Sequence, residues 1–278
     1  MTPAAQSGRT KQGLATEESG EAISIWVVLP TYNEADNLRP IAGAILAAVP
    51  DATLLVVDDA SPDGTGELAD AAAAEDPRVR VLHRRGKEGL GRAYLDGFRV
   101  ALDAGATVVV QMDADFSHEP AVLPALIDPV VAGDAGLVIG SRYVPGGEVV
   151  NWSVGRRLIS RGGSLFARAV LRLRVSDLTG GFKAWDAELL RAAASHTVRA
   201  GGYVFQIEMT FRASRAGGRV REVPITFRDR EVGVSKMSRK IVLEAFLIVV
   251  RLRMDELLGR YQTSPLPVPT ADELEPVK

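Results

Sequence analysis

The chain has 278 residues, of which 46% are hydrophobic and 24% are charged, and its formal net charge is −2. This composition fits one folded domain of roughly 230 residues with its own core, and the near-neutral charge gives no electrostatic basis for nucleic-acid binding. The absence of cysteine excludes disulfides, thiolate nucleophiles and cysteine-ligated zinc. Any metal must therefore be held by oxygen ligands or by the three histidines.

Neither end of the chain has the pattern of a folded or membrane-crossing segment. Residues 1–20 mix glycine, serine, threonine and charges without an apolar core, and residues 261–278 are rich in proline and acidic side chains. Both are predicted to be disordered tails. The most apolar run, residues 241–250, is about ten residues long, whereas a helix that crosses a bilayer needs about 20. We therefore predict one folded domain over residues 21–260 and no membrane-spanning helix.

From residue 23 onward, apolar strands alternate with polar loops and helices. Strands are predicted at residues 23–29, 54–57, 79–83 and 107–112, and helices at residues 37–49, 67–75 and 89–104. Such alternation is typical of α/β folds with a doubly wound, mostly parallel sheet. In those sheets ligands bind beyond the carboxyl ends of the strands, which is where the polar loops of this chain follow.

The pattern becomes less regular after Pro120. Strands are predicted at residues 137–139 and 220–227, and helices at about residues 154–174, 205–216 and 238–258. These elements are expected to complete the same domain.

The strongest local signal is the apolar strand that ends in Asp113, Ala114 and Asp115. Carboxylates two residues apart on an extended segment point the same way, and like charges aimed together are costly unless a cation lies between them. Oxygen ligands of this kind suit Mg²⁺ or Mn²⁺ bridging a diphosphate. The alternative is an Asx turn or a helix N-cap ahead of Ser117 and Glu119. The residues alone leave both interpretations open.

A second acidic turn, Asp58 to Thr65, follows the strand predicted at residues 54–57. Its Asp, Ser, Pro and Gly residues can bring backbone amides and carboxylates close to a nucleoside. The simpler interpretation, which these residues by themselves favour, is a capped turn in which Asp63 or Thr65 begins the next helix.

Residues 151–175 carry six arginines and no acidic residue. A helical wheel places Arg157, Arg161, Arg168 and Arg172 on one side of the predicted helix, and Leu158, Leu165, Phe166, Ala169 and Leu173 on the other. Such a helix can contact anionic lipid headgroups or a phosphorylated acceptor. The alternative is a solvated face without a specific role.

Another polar loop, with Arg228, Arg230 and Lys236, precedes the last predicted helix. Its charges can clamp a diphosphate or can simply be exposed to solvent. His83, His118 and His196 are scattered along the chain and show no metal-ligand spacing, so no catalytic role is assigned to them.

Taken in order, these segments resemble the inverting family 2 glycosyltransferases. The resemblance rests on Pro30-Thr-Tyr-Asn-Glu34, Asp58-Asp-Ala-Ser-Pro-Asp-Gly-Thr65, Gly89-Leu-Gly-Arg-Ala93 and Asp113-Ala-Asp-Phe-Ser-His-Glu-Pro120. Four later motifs are similar to those of dolichol-phosphate mannosyltransferases, also called polyprenol monophosphomannose synthases: Gly140-Ser-Arg-Tyr143, Thr179-Gly-Gly-Phe-Lys183, Gln206-Ile-Glu208 and Gly233-Val-Ser-Lys236. The match covers about residues 23–240.

The resemblance implies a GT-A fold, with a Rossmann-like nucleotide half followed by an acceptor half. By resemblance, the residues expected to bind the nucleotide-sugar donor are Pro30, Tyr32, Glu34, Val57, Asp59, Asp113, Ala114, Asp115, Ser117, Arg142, Arg230 and Lys236. Asp113 and Asp115 are the expected metal ligands, and Ser117 stands where some relatives have a glutamine that contacts the metal site. The residues expected at the reacting groups are Asp113, Asp115, Arg142 and Arg156.

The activity that the resemblance implies is transfer of mannose from GDP-mannose to a polyprenyl phosphate, with inversion and with Mg²⁺ or Mn²⁺. The phosphate acceptor is largely ionised near neutral pH, since its second pKa is about 6, and it needs no strong general base. The expected place of action is the cytosolic face of a membrane, peripherally, with or without a membrane-embedded partner protein. Two alternatives remain open: transfer of glucose or another sugar from a UDP-sugar to polyprenyl phosphate or a polysaccharide, and an inactive nucleotide-sugar-binding membrane subunit.

Overall fold

The computed structural model of the protein describes residues 22–194, 202–228 and 239–260; the side chains of residues 202–203 and 239–244 are outside this description. The predicted tails, Arg230, Lys236 and His196 lie outside the described residues. The strands are β1 (Ile25–Thr31), β2 (Thr53–Asp58), β3 (Val79–His83), β4 (Val108–Gln111), β5 (Leu137–Ser141), β6 (Glu148–Val150), β7 (Lys183–Asp186), β8 (Val220–Pro224) and β9 (Thr226–Arg228). The α-helices are α1 (Ala35–Ala48), α2 (Thr65–Glu75), α3 (Leu90–Asp103), α4 (Leu123–Val131), α5 (Val154–Leu171), α6 (Ala187–Ala194), α7 (Gly202–Arg215) and α8 (Arg239–Leu257), and a 3-10 turn, Pro120–Val122, precedes α4.

Seven strands form the central sheet in the order β3-β2-β1-β4-β7-β5-β8. The first four strands are parallel to one another, and in their register Val27 lies beside Leu54 of β2 and Val110 of β4. These strands are apolar on both faces because helices cover both sides of a parallel sheet. The predicted α/β fold with a doubly wound, mostly parallel sheet is confirmed.

The sequence pattern did not predict β7, which runs antiparallel between β4 and β5. It is four residues long and begins with the charged Lys183, so it lacks the apolar run by which the other strands were found. Helices α4 and α6 and the small parallel pair of β6 with β9 were also absent from the prediction. The single strand predicted at residues 220–227 is two strands, β8 and β9, which belong to different sheets.

Hydrophobic side chains form a core on each face of the sheet. One core includes α1, α2 and α4, and the other includes α3 and α5 to α8. Helix α3 lies so close to the sheet that a Cβ on Gly97 would be 2.4 Å from Val28 Cγ1 and 3.0 Å from Val57 Cγ2. Glycine is therefore required there for packing.

Helix α5 is amphipathic, but its large apolar side chains do not all face the core. It buries mainly small residues, Ser160, Ser164 and Ala167, with Leu171. Large apolar side chains on α5 and α8 are instead exposed: Val154, Leu158, Ile159, Leu165, Phe246, Leu247, Val250, Met254 and Leu257. The rings of Phe166 and Phe246 stack at 4.7 Å and join the two helices, so this apolar surface, called here the α5–α8 surface, is continuous across them.

Candidate active site

Asp113 follows β4 at the carboxyl edge of the parallel strands, and two buried side chains orient it. Tyr94 donates a hydrogen bond from its hydroxyl to Asp113 Oδ1 at 2.9 Å. The backbone N–H of Asp113 donates to His118 Nδ1 at 3.2 Å. Burial lowers the pKa of His118, and burial together with the charge of Asp113 raises the pKa of Tyr94. The histidine thus accepts as a neutral ring while the phenol remains a donor.

Asp115 forms the turn that was the alternative to a metal site. Its Oδ1 accepts a hydrogen bond from the backbone N–H of Ser117 at 3.0 Å, and Ser117 is buried. The turn orients Asp115, and a hydrogen bond of this kind does not by itself exclude a cation beside the carboxylate. Ser117 acts here through its backbone rather than through its hydroxyl.

The donor set at this edge fits a hard divalent cation that shares its ligands with a substrate. Asp113 and Asp115 supply carboxylate oxygens, which Mg²⁺ and Mn²⁺ prefer. In the part of the chain that the structure describes, no group of three or more His, Cys, Asp or Glu side chains could hold a metal by itself. Magnesium commonly binds through one or two carboxylates together with substrate phosphates, and the pair matches that mode.

The two aspartates that begin the neighbouring acidic turn, Asp58 and Asp59, have different partners. Asp58 accepts hydrogen bonds from the hydroxyls of Thr31 and Ser61 at 3.0 and 2.6 Å, which ties the ends of β1 and β2 together. Asp59 is paired with the buried guanidinium of Arg84. Burial raises the pKa of Asp59, although Arg84 opposes the shift. The predicted Asp59 therefore lies at the end of β2 with its carboxyl group paired to Arg84. Arg84 itself was not recognised from the sequence.

The residues predicted to border the nucleoside lie at the end of β1, in the loop that follows it and at the end of β2. Pro30, Tyr32 and Glu34 are partly exposed, and Lys87 Nζ lies 3.4 Å from the centroid of the Tyr32 ring. The side chain of Val57 is fully buried against α3, so the predicted contact of this residue with the nucleoside would have to come from its backbone. Helices cover both faces of the parallel strands, and Val57 points toward the face that α3 covers.

Arg142, at the end of β5, forms a buried ion pair with Asp177. Its Nε and Nη2 donate to the two oxygens of Asp177 at 2.7 Å each, and Nη2 also donates to Thr179 Oγ1 at 2.7 Å. Burial acts to raise the pKa of Asp177, but the charge and hydrogen bonds of Arg142 outweigh it and the net pKa is lowered. The predicted Arg142 is therefore a fixed, buried charge beside the Thr179–Lys183 segment. Asp177 could not be recognised from the sequence, because nothing in its local pattern identifies a partner 35 residues away.

Arg156 lies on the first turn of α5, which the side chain of Ser153 caps by accepting from the Arg156 backbone N–H at 3.3 Å. The Arg156 guanidinium lies 4.1 Å from the centroid of the Trp152 ring, and Trp152 in turn packs edge-on against Phe227 at 5.5 Å. A buried aromatic under a guanidinium holds its plane in one orientation. The predicted Arg156 thus shares the Trp152 and Phe227 cluster with Arg142, which lies 5.3 Å from both rings.

The described site residues lie in two neighbouring clusters. The parallel strand ends carry Asp58, Asp59, Asp113 and Asp115, and the acceptor half carries Arg142 and Arg156. His118 connects them, because its ring stacks on Phe182 at 4.9 Å and meets Phe227 edge-on at 5.6 Å. A mostly parallel sheet with an acidic pair after β4 and an arginine after β5, at the same edge, has the layout of a GT-A glycosyltransferase.

Comparison with known proteins identifies the family. The glycosyl transferase family 2 model matches residues 26–192, and the chain belongs to that family. It is 52% identical over 227 residues to undecaprenyl-phosphate mannosyltransferase from Micrococcus luteus, covering 82% of this chain and 93% of that protein. It is 49% identical over 238 residues to polyprenol monophosphomannose synthase from Mycolicibacterium smegmatis, covering 84% of this chain and 89% of that protein.

Solved structures support the fold. Glucosyl-3-phosphoglycerate synthase from Mycobacterium tuberculosis in complex with uridine-diphosphate superposes with a TM-score of 0.63 at 21% identity, covering 89% of each chain. The same enzyme with Mn²⁺, uridine-diphosphate and glucosyl-3-phosphoglycerate gives a TM-score of 0.58 at 23% identity, covering 86% of this chain and 80% of that one. At this identity the likeness extends to the fold alone, and it confirms the expected GT-A architecture.

Proposed function

We propose that this family 2 glycosyltransferase moves mannose from GDP-mannose to a polyprenyl phosphate with inversion at the anomeric carbon. The observation that carries the proposal is the 52% and 49% identity, over most of each chain, to an undecaprenyl-phosphate mannosyltransferase and a polyprenol monophosphomannose synthase. The site agrees with it, because the acidic pair at the end of β4 and the arginines of the acceptor half suit two phosphorylated substrates on either side of one sugar.

Asp113 and Asp115 are the residues that would hold Mg²⁺ or Mn²⁺ together with the donor diphosphate. When bound, such a cation offsets the charge that develops on the leaving nucleotide. Tyr94 and the Asp113 backbone contact to His118 fix one carboxylate, and the Ser117 amide fixes the other. Carboxylates held in this way need little rearrangement when the donor binds. Arg230 and Lys236 are proposed to close over the donor from the loop before α8.

The acceptor oxygen needs no separate base in this mechanism. A phosphate monoester is mostly a dianion at pH 7, so its oxygen can attack the anomeric carbon directly while the nucleoside diphosphate leaves. Arg156, oriented by Trp152, is proposed to hold that phosphate. Arg142 is proposed to stay in its buried pair with Asp177, because leaving it would strand a buried charge, and to hold the loop at Thr179 in place beside the acceptor.

The α5–α8 surface is proposed to rest on the membrane that holds the polyprenyl acceptor. Val154, Leu158 and Leu165 are 73%, 67% and 66% exposed. Single exposed apolar side chains are normal, but several on one surface indicate an interaction site. Arg157, Arg161 and Arg168 are exposed on the same α5 helix, and Arg172, the residue that ends it, is exposed as well. Apolar contact with basic flanks is the pattern of peripheral binding to anionic membranes. None of the helices in the described ranges is long and apolar enough to cross a bilayer.

A transfer assay tests the activity. Purified protein is incubated with Mn²⁺ or Mg²⁺, polyprenyl phosphate and either radiolabelled GDP-mannose or UDP-glucose, and labelled lipid is extracted. The proposal expects lipid product from GDP-mannose and much less from UDP-glucose. A preference for UDP-glucose establishes the alternative sugar transfer, and binding of either donor without any product identifies an inactive nucleotide-sugar-binding subunit.

Flotation with liposomes tests the membrane contact. Binding should require anionic lipid, weaken as salt rises and fall when Leu158→Glu and Leu165→Glu are combined. Val131→Glu is the matched control, since Val131 is also an exposed apolar side chain but lies on α4, on the other face of the sheet. Equal flotation of both variants would contradict the proposed surface.

A further inference from the structure

A buried polar network lies between β4, β7 and α7, and none of the chemistry proposed so far uses it. Gln111 and Lys183 are fully buried and Gln206 is 3% exposed. Burying such groups is unfavourable unless each finds hydrogen-bond partners. The contacts of this network determine which way each amide faces.

Donor-only groups fix the orientation of Gln111. The indole N–H of Trp185 can only donate, and it donates to Gln111 Oε1 at 3.1 Å. Gln111 Nε2 must then face the other way, where it donates to Gly181 O at 2.9 Å and to Gln206 Oε1 at 2.8 Å. A reversed amide would set N–H against N–H at Trp185.

The same reasoning fixes Gln206. Its Oε1 accepts from Gln111 Nε2 and from Lys183 Nζ, the latter at 3.0 Å. Lys183 Nζ also donates to Gln206 O at 3.0 Å and Thr210 Oγ1 at 2.9 Å. Gln111 alone would enforce this orientation whatever the protonation of Lys183. The Gln206 Nε2 amide therefore points away from the network.

Gln206 Nε2 points toward the acidic pair. The position that a Cβ on Gly181 would occupy lies 3.5 Å from Gln206 Nε2, 3.6 Å from His118 Cε1 and 3.7 Å from Asp113 Oδ2. Glycine leaves this position open. Among the described residues, no protein acceptor takes a hydrogen bond from Gln206 Nε2, so its two N–H groups are available on the side of the Asp113 carboxylate.

We propose that Gln206 Nε2 donates a hydrogen bond to a hydroxyl of the transferred sugar, an inference that rests on the proposed function. Two arguments favour the sugar over the diphosphate. In the proposed function Asp113 holds the cation and the diphosphate, and the sugar is the next part of the donor on the side of the acceptor arginines. A neutral amide also suits a neutral hydroxyl, whereas phosphates are usually met by charged donors. Gln111 and Lys183 are then positioning residues, which hold the Gln206 amide.

Gln206→Met and Thr210→Val are the variants to compare. Methionine keeps the length of the side chain but cannot donate or accept through an amide. Thr210→Val removes a different contact to Lys183, one turn further along α7, and keeps the Gln206 donor. Gln206→Met should lower kcat/KM for GDP-mannose about 10-fold, the loss of one hydrogen bond of about 1.4 kcal/mol. GDP affinity by calorimetry should change less than about twofold in either variant, since GDP lacks the sugar.

Donor analogues identify the contact directly. GDP-mannose analogues, each lacking one sugar hydroxyl, are tested with wild-type protein and with Gln206→Met. For one analogue the wild type should lose about 10-fold in kcat/KM while the variant loses almost nothing more, because the shared hydrogen bond is already absent.

Three results would overturn the inference: equal losses in Gln206→Met and Thr210→Val, a loss of GDP affinity that matches the loss of transfer, or additive effects with every analogue. Wild-type protein that binds neither GDP-mannose nor UDP-glucose refutes the proposed function, and the inference with it. Wild-type transfer combined with any of the three results refutes the inference alone.

Discussion

Tyr94→Phe should weaken metal binding while leaving the fold nearly unchanged. The variant removes one hydroxyl, which donates to Asp113 Oδ1 at 2.9 Å, and it keeps the ring stacked on Phe98 at 5.7 Å and on Phe205 at 6.0 Å. A hydrogen bond to a charged group contributes about 1.5–3 kcal/mol. Residues that orient metal ligands typically change metal affinity or activity by roughly 10–100-fold when they are mutated.

The assay measures the Mn²⁺ concentration at half-maximal transfer and, independently of turnover, Mn²⁺ binding by calorimetry in the presence of GDP. Both midpoints should rise about 10–100-fold in Tyr94→Phe. Phe98→Leu is the control, because it disturbs the same ring stack without touching Asp113. An unchanged Mn²⁺ midpoint in Tyr94→Phe, or an equal rise in Phe98→Leu, would refute the idea that the hydroxyl orients the ligand.

Asp115→Ala should abolish transfer and weaken metal-dependent GDP-mannose binding, because the diphosphate charge loses a cation ligand; Asp113→Ala should behave similarly, and both are measured by transfer and calorimetry. Arg156→Ala should lower transfer to polyprenyl phosphate about 10-fold or more while GDP-mannose affinity stays nearly constant, and truncation of Lys236 should impair donor use instead. Burial lowers the pKa of Lys183 to about 7, so between that pH and its unfolded value of about 10.4 only the unfolded chain binds the proton. Stability relative to Lys183→Met should therefore rise with pH across that window, by up to about 1.4 kcal/mol per pH unit in urea unfolding. Gly97→Ala should lower the free energy of unfolding by about 1–3 kcal/mol, because the clash outweighs the gain in helix propensity.

Matched variants make these outcomes specific. Glu119→Ala, an exposed acidic change near Asp115, should leave transfer unaltered, and Arg168→Ala should not reproduce the acceptor defect of Arg156→Ala. Gly43→Ala in α1, where a Cβ meets nothing within 4 Å, should raise stability by about 0.5–1 kcal/mol. A flat pH difference for Lys183→Met would show that the buried lysine stays protonated, and retained acceptor kinetics with lost donor affinity in Arg156→Ala would reverse the assigned roles.

The parallel half of the sheet could be predicted because its information is local. Each buried strand is a short apolar run, and each is followed by a polar loop, so the carboxyl edge of the sheet could be located without tertiary contacts. The pair of Asp113 and Asp115 was found for the same reason, since their common direction follows from a spacing of two along an extended chain. Resemblance to family 2 glycosyltransferases then assigned the chemistry.

The second half was harder because its charged residues are buried. Lys183 begins a central strand, and Arg142 and Asp177 form a buried pair. Patterns of hydrophobicity place such residues at the surface, so β7 was missed, and neither the burial of Arg142 nor its pairing with Asp177 could be predicted. The α5–α8 surface shows the opposite case, since apolar residues that a helical wheel assigns to a packed face are exposed.

The sequence by itself determined the α/β class and the position of the acidic pair at the carboxyl edge of the sheet, because each depends on residues close together in the chain. Only the tertiary structure determined which side chains orient that pair. Tyr94 reaches Asp113 across 19 residues, and Gln111 meets Gln206 across 95. Contacts of this kind arise when helices pack on a sheet, and the residues involved carry no periodic signal, so the hydrogen bonds that direct Gln206 toward the site exist only in the folded chain.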